Sequence, residues 1–206
     1  MTKRVHSIVL VPGFLGGTFS LAPLRDELCS RSFDAFYWKR APIVYRHPLA
    51  FYGERLARDA LAVRQDTDAP LTLFGWSQGG LVCISALQWL SKEYRNPHDI
   101  VGKVMAFGTP FNGTWVAHPA VLFDHLFGLN ARELRRGHKT LSGLIEFLHA
   151  PRAWRFHAIH GTRDMLVSAK QMELKPEWCH KGPYDHLAPI YDPHLFDLIH
   201  RLVVAP

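Results

Sequence analysis

Cysteine is scarce in this chain. Cys29, Cys83 and Cys179 are the only three among 206 residues, and they lie far apart. No Cys-x-x-Cys pair and no His/Cys group at ligand spacing accompanies them, which argues against a zinc module or a disulfide framework. Three thiols allow at most one intramolecular disulfide, and Cys83 falls in an apolar pattern that reads as core, so a reducing, cytoplasmic setting is expected. Long apolar runs are also missing. Ile8 to Val11 is too short for a secretory h-region and stops at Pro12-Gly13, and no later stretch approaches the length of a membrane span. The glycine-rich segments contain neither Gly-x-Gly-x-x-Gly nor Gly-Lys-Ser/Thr, which weighs against a phosphate-cradling loop. The net charge of +6 and the pI near 9.4 arise from scattered basic residues without an aromatic-basic motif, so nucleic acid is not an expected partner. Internal repeats, low-complexity tracts and linkers are absent too.

What is present is a regular alternation. With 48% hydrophobic and 20% charged residues, the chain suits a single folded domain spanning 1–206. Ser7 to Val11 is a continuous apolar run, as in a strand covered on both faces. Phe33 to Trp38, the run beginning at Leu71, Val101 to Phe107 and Arg155 to His160 read as further strands, and Glu177 to His180 as a short last one. Between them, Leu21, Leu24 and Leu28 fall at helical spacing. So do Leu56, Ala60 and Val63, where Leu49 to Ala62 reads as a helix, and Leu81, Ile84, Leu87 and Leu90; Pro193 to Val204 reads as a closing helix. Strands alternating with helices predict an α/β fold, a mostly parallel sheet with helices on both faces. The stretch 115–150 breaks the rhythm. Two apolar clusters, Val121 to Leu129 and Leu141 to Leu148, flank a basic patch of Arg132, Arg135, Arg136, His138 and Lys139. It reads as a helical insertion, either a lid over a site or helices packed on the sheet.

The segment Gly75-Trp76-Ser77-Gln78-Gly79 carries the most chemistry. A strand-like run stops at Gly-x-Ser-x-Gly and a helical pattern starts at once, which places Ser77 on a sharp strand-to-helix turn. Gly75 and Gly79 leave room for the close packing such a turn needs. A serine hydroxyl is a weak nucleophile, so it requires a base and a group that orients the base. In a parallel sheet these collect at the carboxyl ends of strands. Asp164 follows the strand ending at His160, and His186 lies in the loop before the closing helix, in the order Ser, Asp, His. Asp185, Asp192 and His180 are weaker alternatives, and His157 and His160 lie within a strand. An oxyanion also needs backbone donors. The amide of Gln78, at a helix start, is one candidate, and the amide of Phe14, in the glycine-rich loop after the first strand, is the other.

These segments together resemble α/β-hydrolase-fold serine hydrolases, in particular small bacterial lipases and esterases, and more distantly the lipase-like domain of GPI inositol-deacylases. The similar stretches are Val11 to Gly17, Gly75 to Gly80, Phe107 to Thr114, Gly161 to Asp164 and Asp185 to Ala188, in the same order along nearly the whole chain. The resemblance implies a minimal α/β-hydrolase with Ser77, Asp164 and His186 as a catalytic triad, an acyl-enzyme intermediate, and neither metal nor organic cofactor. Two departures stand out: Pro12 replaces the histidine usual before the first-loop glycine, and Trp76 replaces a frequent histidine before the nucleophile. Trp76, Leu15 and the apolar insertion suggest a small-molecule ester with an apolar acyl group. A thioesterase, an acyltransferase or an amidase would use the same groups, and a non-catalytic binding relative would keep the fold alone.

Overall fold

A computed structural model describes residues 6–67, 69–114, 132–150, 154–167 and 174–205. Its six strands are β1 (Ser7–Val11), β2 (Asp34–Tyr37), β3 (Leu71–Trp76), β4 (Val101–Phe107), β5 (Arg155–Gly161) and β6 (Cys179–Gly182). All pair in parallel, in the order β2-β1-β3-β4-β5-β6. The α-helices among the described residues are α1 (Ala22–Ser30), α2 (Leu49–Gln65), α3 (Gln78–Glu93), α4 (Lys139–His149), α5 (Ala188–Tyr191) and α6 (Pro193–Val204).

Because side chains alternate along a strand, each of the central strands β1, β3, β4 and β5 feeds two cores. Val9, Val11, Leu71, Leu73, Val104, Ala106 and Phe156 point to the layer formed by α2, α3 and α4. Ile8, Leu10, Phe74, Trp76, Met105, Phe107 and Ile159 point to the other layer, with α1, α5 and α6. This two-sided burial is the reason β1 reads as a continuous apolar run. Cys83 lies in the first core, fully buried, and all three thiols are free.

Two details differ from the expected pattern. The last strand begins two residues late, because Pro176–Trp178 forms a 3-10 turn with its proline at the first position. Of the insertion, α4 turns Leu141, Leu144 and Leu148 into the core beside α3, so this part is packed helix. The first apolar cluster, Val121 to Leu129, lies outside the described residues.

The sheet also holds polar residues. Lys103 of β4 is buried, and its ammonium donates to the carbonyls of Val203 and Ala205 at 3.0 and 2.8 Å, closing the carboxyl end of α6. His157 and His180 stand on neighbouring strands with Nδ1 and Nε2 3.0 Å apart. Burial, then the neighbouring His180 and Lys103, pull His157 down to about 4, and burial lowers His180 as well. Unfolded histidines gain protons near pH 6.5 while the folded pair resists, so the contribution is full above that pH. It is lost as the pH falls toward about 4. The melting temperature should drop across this window, and His180→Gln should remove part of the drop.

Candidate active site

β1 and β3 are neighbours, yet the chain leaves them toward opposite faces: α1 follows β1 into one layer and α3 follows β3 into the other. Such a reversal opens a crevice at the carboxyl ends of the two strands. The loop 12–17 and Ser77 meet there. A Cβ added to Gly13 would stand 2.8 Å from the Ser77 Cβ.

Ser77 sits at φ 53°, ψ −125°, a conformation that costs a non-glycine residue roughly 1–3 kcal/mol. Its surroundings hold it there. The Ser77 amide donates to the Phe107 carbonyl at 2.7 Å, and the Thr109 hydroxyl donates to the Ser77 carbonyl at 2.9 Å. The flanking glycines are required sterically: a Cβ on Gly75 would lie 2.5 Å from Gly80, and one on Gly79 2.3 Å from the Val11 carbonyl oxygen.

Asp164 and His186 come together. Asp164 Oδ2 lies 2.8 Å from His186 Nδ1, with the carboxylate side chain wholly buried and the imidazole 12% exposed. Oδ1 accepts from the amides of Leu166 and Val167, both at 2.9 Å, so the carboxylate is fixed from its other side. Gly108, just past β4, has φ +54° and faces this pair. A Cβ there would approach Asp164 Oδ2 to 2.9 Å and His186 Nδ1 to 3.1 Å. Phe107 and Thr109 hold the Ser77 backbone while Gly108 touches the Asp–His pair, so one tripeptide borders all three residues.

The alternative acids are engaged elsewhere. Asp185 accepts from the Leu187 amide at 2.8 Å and from the Tyr191 hydroxyl, and Asp192 caps α6 through the His194 amide at 2.9 Å. His180 faces His157.

Trp76 has a role that its sequence position hid. Its buried indole N–H donates to the His186 carbonyl at 2.8 Å, and a Cβ on Gly16 would lie 3.2 Å from its ring. The side chain thus spans the glycine-rich loop and the histidine loop. Leu15 has φ 60° and is 64% exposed. Phe14, beside it, is half-buried. Phe19, Ile43, Met165, Leu166 and Leu187 are further exposed apolar residues in the segments that follow β1, β2, β5 and β6. Gln78 opens α3, where the first amides of a helix lack intrahelical partners and the helix dipole favours negative charge.

No protein-family model matches the chain. No curated protein matches it in sequence. Solved structures do. The mature form of the Bacillus licheniformis lipase BlEst2 superposes with a TM-score of 0.78 at 19% identity, covering 98% of this chain and 93% of that one. The monoacylglycerol lipase of Paleococcus ferrophilus gives 0.60 at 17%, over 98% and 95%. Aspergillus fumigatus lipase B gives 0.64 at 15%, over 96% of this chain and 52% of the other. With its parallel six-stranded sheet covered on both faces, the chain has the α/β-hydrolase fold of these lipases.

Proposed function

We propose that this protein is a carboxylic-ester hydrolase of lipase/esterase type that works through Ser77, His186 and Asp164. The observation that carries the reading is the buried Asp164–His186 bond of 2.8 Å, formed beside a serine held at positive φ. A carboxylate only accepts, so the bond puts the imidazole proton on Nδ1 and leaves Nε2 as the base. His186 Nε2 takes the Ser77 proton as Oγ attacks the ester carbonyl. The imidazolium then gives that proton to the leaving alcohol, and water releases the acid from the acyl-enzyme by the same route. Asp164 orients the ring and stabilises its charged form. The amides of Gln78 and Phe14 receive the oxyanion. The exposed apolar residues around the crevice, Leu15 among them, suit an apolar acyl group; Trp76, tied to the His186 loop, borders it. Three free thiols agree with a reducing, cytoplasmic setting.

Hydrolysis of p-nitrophenyl esters from acetate to palmitate tests this reading. Turnover with a chain-length optimum is expected. Turnover confined to matched thioesters, or appearing only with an added acyl acceptor, would replace it with a thioesterase or an acyltransferase. In the same assay, Gly108→Ala should lower kcat by about 100-fold, since its methyl group pushes into the Asp–His pair and sub-ångström placement matters there. A wild-type kcat in that variant would mean that the pair tolerates displacement.

A further inference from the structure

An oxyanion donor is only as well placed as the loop that carries it, and the loop 12–17 has little to hold its own start. Pro12 has no N–H and Gly13 has no side chain. The anchor comes from across the chain. The hydroxyl of Tyr45, 33 residues away, donates to the Pro12 carbonyl at 2.7 Å. Tyr45 is 1% exposed and its ring packs edge-on against Tyr52, with centroids 4.9 Å apart. The Tyr52 hydroxyl accepts from the amides of Arg46 and His47 at 2.8 and 3.1 Å, so the backbone carrying Tyr45 is clamped as well. Two residues before Tyr45, the Ile43 carbonyl accepts from the Leu15 amide at 2.9 Å. The segment 43–47 therefore grips the loop on both sides of Gly13-Phe14. Opposite, the Pro12 carbonyl rests against the start of α3, where a Cβ on Gly79 would come within 2.7 Å of it.

We infer that Tyr45 is a positioning residue for the oxyanion loop: its hydroxyl fixes the plane of the Pro12–Gly13 peptide and so the direction of the donors that follow. This rests on the hydrolase reading above. Burial pushes the Tyr45 phenol well up from its ordinary range, so it remains a donor at any assay pH. A packing role would need the ring alone, whereas a positioning role needs the hydroxyl.

The experiment compares wild type, Tyr45→Phe, and p-aminophenylalanine at position 45, which keeps a donor on the same ring. The readouts are kcat and KM on p-nitrophenyl butyrate, the affinity for butylboronic acid, whose serine adduct mimics the tetrahedral intermediate, and the melting temperature. Tyr45→Phe should lose about tenfold in kcat and in boronate affinity, with KM within twofold, because only the tetrahedral state uses the oxyanion donors. The p-amino variant should recover both to within threefold. Wild-type kcat and boronate affinity in Tyr45→Phe would overturn the inference, even if its melting temperature fell. Equal losses in both variants would overturn it too. If Tyr45→Phe does not fold, p-fluorophenylalanine at position 45, which fills the same space without donating, takes its place: a tenfold loss of boronate affinity supports the inference and wild-type affinity overturns it. A wild-type chain that neither hydrolyses the ester nor binds the boronate rejects the hydrolase reading itself, before any variant is compared.

Discussion

Ser77→Ala is expected to lower kcat/KM on the preferred ester by roughly 10⁴- to 10⁶-fold, the scale on which nucleophile removal acts in well-characterised serine proteases. In the proposed mechanism, Ser77 is the group on the turn between β3 and α3 that forms the acyl-enzyme. The fold should survive, because the bonds that hold the turn go to the Ser77 backbone, from Thr109 and to Phe107. Alanine inherits the positive φ and its strain. Ser77→Gly does not, so it should be equally inactive yet melt higher than Ser77→Ala. The net gain is about 1 kcal/mol once the greater entropy of unfolded glycine is subtracted. Steady-state kinetics and thermal melts of both variants check this. Substantial turnover in either one would remove Ser77 from the chemistry.

Asp164→Asn should cost about 10⁴-fold in kcat. The amide oxygen can still accept from Leu166 and Val167, so the loop after β5 keeps its shape. Its NH₂ group, however, would face His186 Nδ1 and donate to it. That forces the imidazole proton onto Nε2, where the mechanism needs a lone pair. A nearly normal melting temperature with almost no turnover is the expected result. If Asp164→Asn kept activity within tenfold and Asp192→Asn or Asp185→Asn lost it, the acid would have been assigned wrongly.

Much of this was legible along the chain. β1 and β3 are buried along their whole length, so they appear as apolar runs that need no neighbour to be recognised. Ser77 announces itself because the turn demands glycine at Gly75 and Gly79 for steric reasons that act within a few residues. Asp164 and His186 could be nominated by their position after strands, since a parallel sheet gathers such loops at one edge. The last strand begins two residues later than its sequence pattern predicts because it is short and at the sheet edge, where pairing with β5 sets the register more than pattern does. Gly108 and Thr109 lie in the stretch Phe107 to Thr114, whose sequence alone gives neither a role. Nothing local says that a glycine with φ +54° must make way for an imidazole.

The sequence by itself determined the alternation of strands and helices, the elbow at Ser77 and the order of the candidate catalytic residues, because each depends on covalent neighbours and periodic burial. Only the tertiary structure decided which acid meets His186, that Trp76 holds the histidine loop and that Tyr45 holds Pro12. Those contacts join residues far apart in the chain, and their partners are chosen by how two layers pack on one sheet.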